Sequence, residues 1–226
     1  MNNMKLYSSS NFMDAKNEII NSFLHSYDLI WKAIPNIFHL IKTLTNSLDN
    51  NFIEIQTGVF VDKTAKISNN ATIIGPCIIA ANAEIRTNAY IRENVYIGES
   101  TIIGNSSEIK NSIILDNAEI PHFNYVGDSI LGNFSHLGAG AVISNFRQDR
   151  SNIKIHLHDN TVIDSDIQKL GAVIADHVEI GSNAVINSGT LIGKGSRVYP
   201  LTQTRGEVPA NHILKTDNNL YPIITK

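Results

Sequence analysis

The sequence predicts a mainly β fold, a parallel β-helix preceded by a short α-helical segment. Three observations predict it: apolar residues recur at every sixth position through most of the chain, they recur at helical spacing near the start, and one long aperiodic stretch interrupts the six-residue pattern. The chain has 226 residues, of which 42% are hydrophobic, so it can bury a sizeable core.

The six-residue pattern begins at Val61. A strict period of six is typical of hexapeptide repeats, in which one hexad forms a short strand plus a corner and three hexads form a triangular coil. We expect the large aliphatic residues to stack inside this coil and small or β-branched residues to lie near its corners. The aliphatic positions are Val61, Ile67, Ile73, Ile79, Ile85, Ile91, Ile97, Ile103, Ile109 and Leu115, and the corner positions are Ala65, Ala71, Cys77, Ala83, Ala89, Val95, Thr101, Ser107 and Ile113.

The pattern shifts by one residue at Ile120 and again at Leu131, and it disappears over residues 144–170. It returns at Ile174, Ile180, Ile186, Ile192 and Val198. Within the gap, Ile153, Ile155 and Leu157 alternate with polar residues, which indicates an extended loop or arm. So long an excursion from a solenoid is usually functional.

Residues 14–48 show helical rather than six-residue spacing. Pro35 interrupts this stretch, so we expect one helix to end near Ala33 and a second to open after the proline. Two such helices cannot hold a core alone, and we expect them to cap the first coil of the β-helix. The predicted organisation is a helical segment at 1–52, a β-helix at 53–204 with an inserted loop at about 144–170, and a tail at 205–226. The first helix would bury Ile19, Ile20, Phe23, Leu24, Tyr27, Ile30 and Trp31.

Composition excludes several functions. The net charge is −3 and no run of Lys or Arg stands out, which argues against nucleic acid as the main partner. The single cysteine, Cys77, excludes an internal disulfide framework and a cysteine-based zinc site. Residues 1–10 lack an apolar signal core, and no apolar run reaches the roughly 20 residues of a membrane span. We therefore expect a cytoplasmic protein that does not enter the membrane.

Three short motifs in the irregular part of the pattern point to a family: PHFNYVGD at 121–128, LGAG at 137–140 and SNFR at 144–147. With the repeats from Val61 to Val198, they resemble the acetyltransferase domain of the bifunctional bacterial enzyme that makes UDP-N-acetylglucosamine. That resemblance implies a left-handed β-helix, a homotrimer, and acetyl-CoA as co-substrate. The uridylyltransferase half of that enzyme begins with a Gly-rich nucleotide loop, and residues 1–60 contain no such loop.

The resemblance also assigns roles to individual residues. The family's catalytic histidine matches His122, and the sugar-binding tyrosine three residues later matches Tyr125. An arginine and a lysine that hold the sugar phosphate match Arg92 and Lys110, and a substrate-binding asparagine matches Asn145.

On the cofactor side, the alanine whose backbone approaches the acetyl group matches Ala139, and a serine on a later coil matches Ser182. Two aligned positions differ in type: His136 stands where the family has asparagine, and Phe146 where it has tyrosine. The lysine of the following loop has no counterpart in residues 148–152. These changes concern the acceptor pocket, where one lost hydrogen bond can redirect specificity.

The chemistry of acetyl transfer independently suits these residue types. An amine attacks a thioester only as the free base, and histidine takes up protons near neutral pH. Gly-rich corners around Ala139 could supply backbone N–H donors to an oxyanion, and Arg92 and Lys110 are suitable cations for a phosphate. The predicted function is an acyl-CoA-dependent acetyltransferase acting on an amino-sugar phosphate or a nucleotide sugar. Candidates for the 3′-phosphate of CoA, chosen for charge alone, are Arg197, Arg205 and Lys215.

Two alternatives remain open at this point. The β-helix could be a non-catalytic module that binds a sugar nucleotide or a nucleotidyltransferase. It could also hold a metal like the γ-class carbonic anhydrases, since His156 and His158 would lie on one side of a strand and a neighbouring subunit could add a third ligand. We place no residue in a metal site under the favoured hypothesis.

Overall fold

The computed structural model describes residues 7–224, and within them short strands form three parallel sheets that enclose a triangular left-handed β-helix. The mainly β fold predicted from the six-residue period is confirmed. The strands are β1 Phe52–Gln56, β2 Val59–Asp62, β3 Lys66–Ile67, β4 Thr72–Ile73, β5 Cys77–Ile79, β6 Glu84–Ile85, β7 Tyr90–Ile91, β8 Val95–Ile97, β9 Ile102–Asn105, β10 Glu108–Lys110, β11 Ser112–Ile114, β12 Glu119–His122, β13 Tyr125–Gly127 and β14 Ile130–Leu131. They continue as β15 His136–Leu137, β16 Val142–Ile143, β17 Lys154–His156, β18 Val162–Asp164, β19 Ala172–Ile174, β20 Glu179–Ile180, β21 Val185–Ile186, β22 Thr190–Ile192, β23 Arg197–Val198, β24 Gln203–Thr204, β25 Glu207–Val208, β26 His212–Leu214 and β27 Leu220–Pro222.

Each coil visits the three sheets in turn. Sheet I has the order β1-β2-β5-β8-β11-β14-β19-β22-β25, sheet II contains β3, β6, β9, β12, β15, β20, β23, β26 and β27, and sheet III contains β4, β7, β10, β13, β16, β21 and β24. All neighbours within these sheets pair in parallel except β1 with β2 and β26 with β27, which form antiparallel hairpins at the two ends. They add one edge strand to sheet I and one to sheet II.

The aliphatic pattern does fill the interior, with one correction. Ile79, Ile97 and Ile114 stack in register on sheet I, so the inward residue of β11 is Ile114 and not Leu115 as the six-residue count predicts. The coil that contains β11 is therefore one residue shorter than eighteen. The shortening arises before Ile114, where Ser112 Oγ donates a hydrogen bond to the Lys110 carbonyl at 2.7 Å and tightens the corner.

The helical segment packs along the side of the solenoid, and the prediction that it caps the first coil is wrong. Helix α2, Ile37–Thr45, contacts β5 and β8, and the 3-10 helix Ile30–Asn36 contacts β19. The outward residues of sheet I are apolar and buried beneath it, so this sheet is covered on both faces. They are Ile78, Tyr96, Ile113, Ile130, Val173 and Leu191.

The helix boundaries also differ from the prediction. Helix α1 spans Glu18–His25 and begins where the side chain of Asn17 accepts hydrogen bonds from two backbone N–H groups. It ends at His25, well before Ala33. Leu29 is extended and precedes the 3-10 helix, in which Trp31 is fully buried. Pro35 lies in the 3-10 helix just ahead of α2, in agreement with a proline that opens the second helix.

Between β16 and β19 the chain leaves the solenoid and forms an antiparallel hairpin of β17 and β18, which we call the arm. Ile153, Ile155 and Leu157 are buried, so the arm packs back on the solenoid. Two glycines permit this approach: a Cβ on Gly189 would lie 2.7 Å from Ile153 Cγ2, and a Cβ on Gly206 would lie 2.7 Å from the His156 carbonyl. No helix in residues 7–224 is long and apolar enough to cross a membrane.

Candidate active site

Three of the predicted residues lie in one column along the corner between sheets II and III. His122 ends β12, and Ala139 and Ser182 occupy the same corner on the next two coils. Backbone hydrogen bonds link the column: Gly140 N–H donates to the His122 carbonyl at 3.0 Å, and Asn183 N–H donates to the Ala139 carbonyl at 2.9 Å. The histidine and the two positions predicted to meet the acetyl-CoA therefore follow one another along the helix axis.

The corner at His122 is held by a buried residue that sequence reasoning missed. The Asn124 side chain accepts from His122 N–H at 3.0 Å and donates to the carbonyls of Gly138 and Ala141 at 2.8 and 3.1 Å. Asn124 is only 3% exposed, whereas the His122 imidazole is exposed and makes no hydrogen bond to another described residue. The sequence does contain a signal for Asn124: it is a polar residue at a corner position where the other residues are small or β-branched.

The backbone at Ala139 offers a free donor. The N–H groups of the two flanking residues already form hydrogen bonds: Gly138 N–H donates to the Ile180 carbonyl, and Gly140 N–H donates to the His122 carbonyl. Ala139 N–H has no acceptor within residues 7–224, and the residue as a whole is partly exposed. A polar group that binds in the column can therefore accept a hydrogen bond from it.

Two predicted substrate residues meet on sheet III. Asn145 Nδ2 donates to the Tyr125 hydroxyl at 3.2 Å and also to the Asp128 carboxylate. Gly127 lies between them, and a Cβ there would be 2.6 Å from both Asn145 Nδ2 and Tyr125 Oη. Burial, followed by the charges of Asp128 and Glu108, raises the pKa of Tyr125, so its hydroxyl keeps its proton and can donate it to a ligand.

The two predicted phosphate-binding cations lie on the same sheet, but each already faces a carboxylate. Arg92 Nη1 donates to Glu108 at 3.0 Å, and Lys110 Nζ lies 3.8 Å from Asp128. Asp128 is 4% exposed and also accepts from Asn111 Nδ2 at 2.8 Å. A phosphate at this place would compete with carboxylates for both cations.

His136 is not brought to this group. It lies on the outer face of sheet II, where its Nδ1 is 3.0 Å from Glu179 Oε2. Within one chain, the predicted residues thus form three groups. The corner column contains His122, Ala139 and Ser182, and His136 lies apart from it on sheet II. The sheet III cluster contains Arg92, Lys110, Tyr125 and Asn145.

The other predicted cations are dispersed. Arg197 lies on sheet II, in register with Glu179. Arg205 follows β24 of sheet III and donates to His156 Nε2 at 3.0 Å. Lys215 lies over the ring of Tyr221, 4.1 Å from its centroid. One phosphate cannot contact all three.

The two arm histidines have separate partners. His156 contacts Arg205, and His158 Nδ1 lies 2.7 Å from Glu207 Oε2. Within residues 7–224, no three His, Cys, Asp or Glu side chains are grouped as metal ligands would be. The geometry therefore gives no support to the metal alternative.

The six-residue repeats of this chain thus form a left-handed parallel β-helix. The family profile described as the GMPPB C-terminal domain matches residues 73–170. The bifunctional sugar-1-phosphate nucleotidylyltransferase/acetyltransferase of Sulfurisphaera tokodaii is 40% identical over 88 residues, which are 39% of this chain and 22% of that protein. The bifunctional protein GlmU of Methanococcus maripaludis is 32% identical over 114 residues, 50% of this chain and 27% of that protein.

The matched part of the chain thus spans about a quarter of the length of these relatives. Among solved structures, the UDP-N-acetylglucosamine acyltransferase of Francisella novicida has a TM-score of 0.43 at 16% identity, covering 72% of this chain and 67% of that one. The acetyltransferase domain of PglB from Neisseria gonorrhoeae, in complex with acetyl coenzyme A, has a TM-score of 0.33 at 13% identity, covering 81% and 63%. Over the matched part of its sequence, the chain is thus similar to bifunctional proteins of the GlmU type.

Proposed function

We propose that the protein is an acyl-CoA-dependent acetyltransferase that acts on an amino sugar carrying a phosphate or a nucleotide. The corner column carries this proposal, because it sets His122 beside a free backbone donor at Ala139 and continues through Ser182 on the next coil. A long, linear co-substrate suits a site that runs from coil to coil.

In this proposal His122 is the general base. Acetyl-CoA supplies an activated thioester, and the amine of the acceptor must lose a proton to attack it. The His122 imidazole is exposed and bonded to no other described side chain, so one of its nitrogens is available to take that proton. It then returns the proton to the departing thiolate, which balances the transfer.

Ala139 N–H would stabilise the charge that develops on the thioester oxygen. It is a fixed backbone donor without a competing acceptor within residues 7–224. A preorganised donor of this kind contributes about 10²–10³ in rate. Ser182, on the following coil, would contact the co-substrate further from the reacting carbon.

The sheet III cluster would bind the acceptor. Tyr125 and Asn145 offer hydrogen-bond donors suited to sugar hydroxyls, and Arg92 and Lys110 would face the phosphate. Glu108 and Asp128 would orient these two cations and lower the affinity for the phosphate by competing for them. His136 lies on another face, so in a homotrimer of three-sided prisms we propose that it belongs to the site of a neighbouring protomer.

The test is thiol release from acetyl-CoA in the presence of glucosamine 1-phosphate or of a UDP-linked amino sugar. We expect turnover with one acceptor class and a loss of about 10²–10⁴ in rate for His122→Ala. His39→Ala is the matched control, since His39 is also exposed but lies on α2.

Equal turnover in His122→Ala and the wild type would refute the base assignment. Binding of a nucleotide sugar without any thiol release would favour the non-catalytic module, for which the carboxylates that already pair with Arg92 and Lys110 are the supporting observation.

A further inference from the structure

A cavity of about 510 Å³ opens where the arm leaves and recrosses sheet III. It borders the sheet III cluster, because Ser144 and Phe146 flank Asn145 and both line it. Its polar lining includes Arg147, Lys154, Asn187, Ser188, Gln203 and Arg205. Nothing in the proposed transfer step uses the arginines or the lysine of this cavity.

The cavity carries an excess of positive charge. Arg147, Lys154 and Arg205 contribute three cations, and the one carboxylate in the lining, Asp149, is held by Arg147 at 2.6 Å. Lys154 and Arg205 form no ion pair within residues 7–224. This differs from Arg92 and Lys110, each of which faces a carboxylate.

His156 lies within the electrostatic influence of these cations. Its pKa is lowered by burial and then by the positive charges of Arg205, Arg147 and Lys154, the three cations that line the cavity. The neutral ring accepts a hydrogen bond from Arg205 Nη2 at 3.0 Å. A neutral histidine carries no charge, so it does not offset the positive charge of the three cations.

The cations are held on a rigid support. Lys154 and His156 on β17 alternate with buried Ile155 and with buried Ile153 just before the strand, and the arm packs closely on the solenoid at Gly206. The backbone that carries Lys154 is therefore fixed against the solenoid before an anion enters the cavity, which lowers the entropic cost of binding.

We propose that this cavity is an anion site that binds the phosphate of a nucleotide, with Lys154 and Arg205 as its principal ligands and Arg147 at its rim. Two ligands share this chemistry: the 3′,5′-bisphosphorylated adenosine of CoA and the diphosphate of a nucleotide sugar. The choice between these two ligands rests on the proposed transferase function. The anion site itself does not depend on that function.

The test measures binding by calorimetry and follows the His156 ring by NMR, with inorganic phosphate, adenosine 3′,5′-bisphosphate and UDP as probes. A bound phosphate stabilises the imidazolium form, so we expect the pKa of His156 to rise on binding. Lys154→Gln and Arg205→Gln should each weaken binding about tenfold or more, as expected for hydrogen bonds to a charged group. Arg86→Gln is the control, because Arg86 is paired with Glu84 on sheet II.

Tighter binding of the adenosine bisphosphate would identify CoA as the source, and tighter binding of UDP would identify the nucleotide sugar. His122→Ala should bind the probes like the wild type, so a failure of catalysis is distinguishable from a failure of this site. The anion site is overturned if no probe moves the His156 resonance, or if the Lys154 and Arg205 variants bind as tightly as Arg86→Gln.

Discussion

Asn145 donates a hydrogen bond to the hydroxyl of Tyr125 at 3.2 Å, across two neighbouring coils of sheet III. The contact is possible because Gly127, between them on the sheet, has no side chain. Each partner satisfies part of the other's hydrogen bonding and leaves the tyrosine proton for a ligand. The pair therefore forms a preorganised donor for the proposed acceptor sugar.

Gly127→Ala tests this pair without touching either member. The new methyl would lie 2.6 Å from both Asn145 Nδ2 and Tyr125 Oη, so it must push them apart. We expect the KM for the amino sugar to rise about tenfold, since a hydrogen bond to a ligand is worth about 1 kcal/mol or more. The KM for acetyl-CoA should not change, and steady-state kinetics with each substrate varied separately would show the split. An equal rise in both constants would mean that the substitution distorts the whole site.

Asp128→Asn tests the buried carboxylate that joins the cluster. Asp128 accepts from Asn111 and Asn145 and faces Lys110, and at 4% exposure no water can replace these partners readily. We expect a loss of about 1.5–3 kcal/mol in the free energy of unfolding, measured by urea denaturation. Asp166→Asn is the matched control, since Asp166 also has a positive φ but is exposed, and it should change stability by less than about 0.5 kcal/mol. Equal effects of the two substitutions would contradict the role of the network.

Gly206→Ala tests the attachment of the arm. Gly206 has a φ of +82°, and its new Cβ would lie 2.7 Å from the His156 carbonyl, a backbone atom that cannot move aside alone. We expect faster hydrogen exchange of the amides of 153–157 and weaker phosphate binding in the cavity. Gly195→Ala is the control, because Gly195 also has a positive φ, +67°, yet its Cβ would meet only the Asn211 side chain within 3 Å. It should cost only the backbone strain, roughly 1 kcal/mol, and leave exchange in the arm unchanged.

The contact of the arm and the N-terminal segment with Glu207 should depend on pH through His158. Glu207 accepts from the Tyr7 hydroxyl at 2.8 Å and from His158, and this hydrogen bond, followed by the charge of Glu207, raises the pKa of His158. A raised pKa means that the stabilisation is complete below the unfolded value of about 6.5 and is lost as pH rises through the higher folded value.

The size of this effect is small, because the His158 side chain is half exposed and solvent screens the pair. We expect wild-type stability to fall between about pH 6 and about pH 8 by more than that of His158→Gln. His39→Gln, at an exposed position on α2, should retain the wild-type slope. Parallel curves for His158→Gln and the wild type would remove His158 from the contact.

Repetition in the sequence determined the fold. A period of six places one aliphatic side chain inside each flat wall, so a β-helix buries the pattern continuously over many repeats. The pattern also contained an unused signal: β5, β8, β11, β19 and β22 carry an apolar residue on their outer face, which is the mark of a sheet buried on both sides. That signal would have placed the helices along sheet I and not at the end of the solenoid.

The corner column could also be predicted from the sequence. His122 and Ala139 are one coil apart, so the coil length alone places them at the same corner. The tertiary structure alone decided how charges pair. Glu108 reaches Arg92 and Asp128 reaches Lys110 between neighbouring coils, and their side-chain directions are not contained in the repeat. His156 of the arm contacts Arg205 of the solenoid, 49 residues further along the chain, and this contact does not follow the six-residue period. The basic cavity therefore exists only once the chain has folded.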